Sequence, residues 1–220
     1  MEDRCSSSRR QFVLGGLVLG ASAFTGVEAL AGLIPTPRQT TGPFYPDRLP
    51  LDSDNDLAQV GNAPRRAAGT LAHVYGQVLD PDGRPVRRAR VEIWQCDAFG
   101  RYRHPRAPGQ AQADPNFQGF GRMVVADDGA FRFRTIEPVP YPGRAPHIHF
   151  AVSGPGFERL TTQMYIAGHP LNARDFVLGR VADARARESL MVRFAPAPEI
   201  EPEAKAGRFD IVLGRNAFRE

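Results

Sequence analysis

Cysteine is scarce: the 220 residues hold two, Cys5 and Cys96. If the N-terminal segment is removed, Cys96 stands alone, so no intrachain disulfide can form and the residue reads as a small buried hydrophobe. A dominant charge is missing as well. Lys and Arg number 28 against 24 Asp and Glu, a formal charge of +4, and the arginines are scattered, many at alternate positions. That pattern describes a solvated face and argues against nucleic acid as a partner; no RNP, zinc-finger or helix-turn-helix pattern accompanies it. Long apolar runs are also lacking. The one candidate ends near Ala31 and is broken by Gly and Ser, too weak for a membrane anchor. Helical periodicity is confined to one short stretch around Val181 to Met191. What the chain does have is 22 Gly and 20 Pro, in frequent turn clusters, and this composition suits many short strands.

Ser8-Arg9-Arg10-Gln11-Phe12-Val13-Leu14 precedes the apolar run, and Ala29-Leu30-Ala31 supplies a small-x-small exit. Residues 1–31 therefore read as a signal peptide, and the paired arginines resemble the twin-arginine export signal. The expectation is a periplasmic or extracellular protein with no stable membrane insertion after cleavage. Residues 32–70 read as an N-terminal arm and loop, Pro-rich and aperiodic, with an aromatic stretch Gln39-Thr40-Thr41-Gly42-Pro43-Phe44-Tyr45-Pro46. Asp52, Asp54 and Asp56 alternate, but the Gly and terminal Glu of an EF-hand loop are missing, so this is a solvated loop.

Residues 71–220 read as the folded domain. Val74, Gly76 and Val78 share one face of a strand, and Asp80-Pro81-Asp82-Gly83 is a turn. Ala89, Val91 and Ile93 alternate with Arg90, Glu92 and Trp94, predicting a strand with one buried face. Gly121–Ala126 and Ala130–Ile136 read as partners across an Asp127-Asp128-Gly129 hairpin turn. Further strands are expected at His147–Val152, Leu160–Ile166 and Phe209–Leu213. Turns every eight to twelve residues predict an all-β fold, an antiparallel β-sandwich with long loops and one short C-terminal helix.

The chemistry concentrates in Tyr141-Pro142-Gly143-Arg144-Ala145-Pro146-His147-Ile148-His149. His147 and His149 are two apart, so on a strand both rings face one space. With Tyr102 and Tyr141 they form a candidate metal-ligand set. Phenolates are hard anionic donors, and two of them with two imidazoles favour Fe(III); zinc sites use Cys, His and carboxylate. A cupin would need a Glu shortly after His-x-His, and none lies between Phe150 and Pro155. Copper–zinc superoxide dismutase needs more histidines than the five present.

Trp94-Gln95, Gly100-Arg101-Tyr102-Arg103-His104, Phe131-x-Phe133-x-Thr135-Ile136-x-Pro138-x-Pro140-Tyr141-Pro142, Arg144-x-Pro146-His147-Ile148-His149-Phe150 and Gln163-x-Tyr165 together resemble the intradiol ring-cleavage dioxygenases. The arm at residues 39–44 is similar to the protocatechuate 3,4-dioxygenase branch. The resemblance implies a ferric cofactor held by Tyr102, Tyr141, His147 and His149, with Tyr141 leaving the metal to accept a substrate proton. It implies that Arg144 stabilises charge on the substrate ring and that Gln163 orients the bound substrate. The implied reaction adds O2 to a catechol-type substrate and opens the ring between its hydroxylated carbons, giving a cis,cis-muconate-type diacid. A homo-oligomer is left open. Only five residues separate Tyr141 from His147; well-studied members of the family carry a longer insert there, so a more open pocket is expected. The alternative is an exported transthyretin-like sandwich that binds without catalysis.

Overall fold

Alternation decides the first strand. In β1 (Leu71–Leu79) Val74, Gly76 and Val78 are buried while Tyr75 is exposed. The turn after it is closed by the Asp80 carboxylate, which accepts from the Asp82 and Arg84 backbone N–H groups, with Gly83 at a φ of 79°. This computed structural model describes residues 33–107 and 112–218; the signal segment expected at 1–31 lies outside the described residues.

The remaining strands are β2 (Arg90–Trp94), β3 (Phe120–Val124), β4 (Ala130–Ile136), β5 (His147–Gly154), β6 (Phe157–Ile166), and the short β7 (Met191–Val192), β8 (Ala195–Pro196), β9 (Lys205–Arg208) and β10 (Ile211–Val212). They form two five-stranded sheets. One runs β3-β2-β5-β6-β7; in the other β1 pairs with β4 on one edge and with β9 and β10 on the other, β8 lying beyond β9. The expected β-sandwich is present. Its long strand pairs are antiparallel, and the short C-terminal strands β9 and β10 add parallel pairing to β1, as β7 does to β6. The expected helix is α1 (Ala184–Glu188), capped by the Asp183 carboxylate.

Between the sheets Val74, Val78, Phe131, Phe133 and Ile136 meet Val91, Ile93, Ile148, Phe150 and Val152 in one apolar core. Phe209 joins it against Phe150 at 5.0 Å, and Gly76 admits it: a Cβ there would lie 2.0 Å from the Phe209 carbonyl oxygen.

Two local expectations are corrected. The Asp127–Gly129 turn forms, with Ala126 and Ala130 hydrogen-bonded across it, but it is no hairpin: β3 pairs with β2 and β4 with β1, so the turn carries the chain between sheets. Nor does β2 have a single buried face. Glu92 and Trp94 are buried too, because the N-terminal arm lies on them; Tyr45 donates to Glu92 at 3.1 Å and meets Trp94 edge-on at 5.0 Å.

Candidate metal centre

The site is built on the outer face of the β3-β2-β5-β6-β7 sheet. In β5 Ile148, Phe150 and Val152 enter the sandwich core, so the period of two sends His147 and His149 to the opposite face. Both are 1% exposed. Across the β5–β6 register His147 pairs with Tyr165 and His149 with Gln163, which puts all four side chains on that face. On the other flank His149 pairs with Trp94, and their rings stack at 4.8 Å and 8°.

Loops supply the phenols. Asp97 closes the turn after β2, accepting from Phe99, Arg101 and Asp114 N–H groups, and aims Tyr102 inward at 6% exposure. Tyr141 follows the extended segment after β4, and its backbone carbonyl accepts from Arg144 N–H. The Tyr102 and Tyr141 rings are 5.6 Å apart, Tyr141 is 5.5 Å from His147, and Tyr102 is 6.4 Å from His149. All four expected ligands thus surround one point.

The arm covers them. Phe44 stacks on Tyr102 at 4.5 Å. Gly42, with φ of 72°, passes so close to His149 that a Cβ would lie 3.2 Å from its Cε1. Gln39 accepts from the Gln163 N–H, and Gln163 Nε2 donates to the Thr40 carbonyl.

The donor set fits a metal. His147 Nδ1 lies 2.6 Å from the Ala145 carbonyl, which can only accept, so the proton sits on Nδ1 and Nε2 carries a lone pair. That Nε2 is 3.2 Å from His149 Nε2; two imidazoles each ~2.1 Å from one ion at a right angle would stand ~3 Å apart. The Tyr102 hydroxyl is buried with no hydrogen-bond partner, a cost that a metal bond would remove. Burial, with Arg144 adding to it, lowers the His147 pKa to about 4; burial holds His149 well below its ordinary value, with His147 and Arg144 contributing. Both rings are therefore neutral and ready to ligate. Burial raises the Tyr102 pKa well above its ordinary value, and raises Tyr141 too, partly offset by Arg144. A strong Lewis acid is what would deprotonate them. Among the described residues no group of three or more His, Cys, Asp and Glu side chains is placed to hold a metal, so an ion here depends on the phenols.

Arg144 and Gln163 also arrive. Arg144 is 7% exposed; Nε donates to Asp175 at 2.9 Å, Nη1 to the Tyr141 hydroxyl at 3.2 Å, and Nη2 to Gln163 Oε1. A cavity of about 310 Å³ opens beside them, lined by Phe44, Tyr102, Tyr141, Pro142, Arg144 and Phe176 among others. Its walls are mostly apolar and aromatic, with Arg101, Arg144 and the two tyrosines as the side chains that bring polar groups. A Cβ on Gly143, whose φ is 81°, would meet nothing within 4 Å, so the short Tyr141–His147 loop leaves open space there.

Sequence reasoning assigned no role to Asp175, Tyr165, Gln39 or Phe44. Tyr165 was within reach through its spacing of two from Gln163. Asp175 has no such signal, because it comes from a loop joined to the site only by the fold. Neither His73 nor His104 joins the cluster of candidate ligands: His73 is bonded to Glu201, and His104 faces Asp47 with its ring edge-on to Phe44 at 5.9 Å. Cys96 is buried with its Sγ 3.6 Å from the Val139 carbonyl.

The geometry has counterparts. A family model described as dioxygenase matches residues 40–215. The protocatechuate 3,4-dioxygenase beta chain of Burkholderia cepacia is 42% identical over 191 residues, covering 82% of this chain and 80% of its own. Hydroxyquinol 1,2-dioxygenase of Nocardioides simplex is 32% identical over 234 residues, covering 93% and 74%. Among solved structures, the dioxygenase domain of a dioxygenase and carbohydrate-binding fusion from Streptomyces sp. SirexAA-E superposes with a TM-score of 0.61 at 30% identity, covering 82% of this chain and 99% of that one.

Proposed function

The chain belongs to the iron-dependent intradiol ring-cleavage dioxygenases, and we propose that it holds Fe(III) through Tyr102, Tyr141, His147 and His149 and opens a catechol-type ring between its two hydroxylated carbons. The observation that carries the site assignment is the convergence of two neutral, buried imidazole Nε2 atoms 3.2 Å apart beside a partnerless buried phenol. When bound, ferric iron supplies Lewis acidity that draws electron density from a chelated catecholate and opens its ring carbon to O2.

The chain's residues divide the remaining work. Tyr102 is almost fully buried under Phe44 and is the fixed phenolate. Tyr141 lines the cavity, is only partly buried and stands before the unencumbered Gly143, so it is the phenolate that would be free to swing and to take a substrate proton at its Oη, becoming the neutral phenol. Arg144 reaches that same oxygen through Nη1 and stabilises negative charge there and on the ring. Gln163 is fully buried and presents a fixed amide beside Arg144, orienting the substrate. The arm and Phe44 keep water from the ligands. The relatives act on protocatechuate and hydroxyquinol by name; this chain's shorter loop supports a catechol-type substrate without selecting one of them. The product is a cis,cis-muconate-type diacid. Nothing favours a non-catalytic sandwich.

Export through the twin-arginine route belongs to the same proposal. Its support is the Arg9-Arg10 motif and the Ala29-Leu30-Ala31 exit, with residues 32–70 as arm and 71–220 as the catalytic sandwich. A route that carries folded proteins allows iron loading first.

The test is purification and colour. The iron-loaded protein is expected to be wine-red from tyrosinate-to-iron charge transfer, and catechol should shift the band. Tyr102→Phe and His149→Ala should lose iron and colour while His104→Ala keeps both. Oxygen uptake should follow with catechol, protocatechuate, hydroxyquinol or a chlorocatechol. A colourless protein binding stoichiometric zinc, or equal iron in all three variants, would refute the assignment.

A further inference from the structure

Asp175 is a buried carboxylate beside the centre, and every hydrogen bond it accepts ties something down. Its side chain is 0% exposed. Oδ2 accepts from Arg144 Nε at 2.9 Å and from the Ala145 backbone N–H at 2.9 Å. Oδ1 accepts from the Val177 and Leu178 backbone N–H groups, both at 3.0 Å. One carboxylate thus fastens the turn before β5 to the 3-10 turn Leu178–Arg180. A buried carboxylate that accepts four such bonds is fixed in place.

The consequence falls on Arg144. A guanidinium has five N–H donors in a rigid fork. Four are used: Nε on Asp175, one on the Tyr141 hydroxyl, and two on Gln163 Oε1 and the Tyr165 hydroxyl. The fifth, on Nη1, has no hydrogen-bond partner among the described residues, and Arg144 lines the cavity. With Nε pinned, the plane of the fork cannot turn without breaking the other contacts.

We propose that Asp175 is a positioning residue for the ring-opening reaction, acting through Arg144 by fixing the direction in which its free Nη1–H meets substrate. It rests on the functional reading above. Asp175 touches none of the four candidate ligands' side chains; its two routes to the site are the Arg144 guanidinium and the Ala145 N–H, whose residue's carbonyl holds His147 Nδ1, and a loss through the second route would show in iron content.

The test is a double-mutant cycle on the iron-loaded protein, with rates expressed per bound iron. Asp175→Asn keeps an oxygen for Val177 and Leu178 N–H but sets an amide against Arg144. Its iron content and resting visible band should match wild type, and kcat on catechol should fall about tenfold to a hundredfold, with KM changing less than about threefold. In an Arg144→Lys background the same substitution should cost less than about threefold, because a positioning residue has nothing left to position. Asp175→Glu, which restores the charge, replaces the Asn variant if that one fails to fold, and should recover part of kcat. An unchanged kcat per iron, an equal cost in both backgrounds, or a loss confined to iron content would each overturn the proposal. A wild-type protein that loads iron yet consumes no O2 with any catechol would sink the functional reading as well; an active wild type without the coupling would sink this inference alone.

Discussion

Acidifying the metal-free protein probes the buried imidazoles directly. His147 is 1% exposed, and burial, with Arg144 adding to it, takes its pKa from 6.5 to about 4. In the unfolded chain the ring returns to about 6.5. As pH falls, the unfolded state takes up the proton first, so acid favours unfolding. Above 6.5 the ring is neutral in both states and its contribution is fully present. Between 6.5 and about 4 that contribution is lost at up to ~1.4 kcal/mol per pH unit, about 3 kcal/mol in all. Below about 4 the slope from this ring ends. His149 acts in the same direction, as does His73, lowered by burial against the opposing Glu201 bond.

The assay is urea unfolding of metal-free wild type and His147→Gln at pH 7 and pH 5. Surface carboxylates and the histidines remote from the centre contribute to both proteins and cancel in the difference. The stability advantage of wild type over variant should shrink by about 2 kcal/mol from pH 7 to pH 5, with the urea dependence m unchanged. Parallel pH curves would mean that His147 is protonated as easily in the fold as outside it. The claim of a buried, neutral, ligation-ready ring would then fail.

Two further outcomes follow from packing. Gly76→Ala sets a Cβ 2.0 Å from the Phe209 carbonyl oxygen, so β1 must part from its C-terminal neighbours; a loss on the order of 2–4 kcal/mol is expected in thermal or urea unfolding, and a wild-type midpoint would contradict the close approach. The Cys96 thiol is pushed up to about 12 by burial, with Asp97 adding to it, so a thiol-reactive dye at pH 8 should label the protein only after denaturation; fast labelling of the folded protein would refute its burial.

The parts that were legible in the sequence share one property: their cause is local. Alternation of Ile148 with two histidines is a property of any strand, and Asp80-Pro81-Asp82-Gly83 closes its turn with its own side chains. What was not legible depends on distant segments. Glu92 and Trp94 look like the solvent face of β2 until Tyr45, nearly fifty residues earlier, lies across them. Asp127-Asp128-Gly129 specifies a tight reversal, but the same chemistry serves a hairpin and a passage between sheets; only the pairing of β3 with β2 decides. Asp175 sits in a loop with no periodicity, and its partners Arg144 and Ala145 are thirty residues away.

The same strand logic explains how the site is kept in place. β5 feeds two faces at once, Ile148, Phe150 and Val152 to the core and His147 and His149 to the proposed metal centre. A slip of one residue would exchange these sets, placing apolar side chains at the ligand positions and imidazoles in the core. The hydrophobic energy that fixes the register of β5 therefore fixes the two proposed imidazole ligands too, and the Ala145 carbonyl and the Trp94 ring then set their orientation. The phenols have no such guarantee, since both come from loops. Their placement depends on the Asp97 turn, on Gly100 packing against Tyr141, and on Phe44 of the arm. Disturbing the arm should thus uncouple metal binding from folding, leaving a stable sandwich with its two imidazoles aligned and its phenols astray.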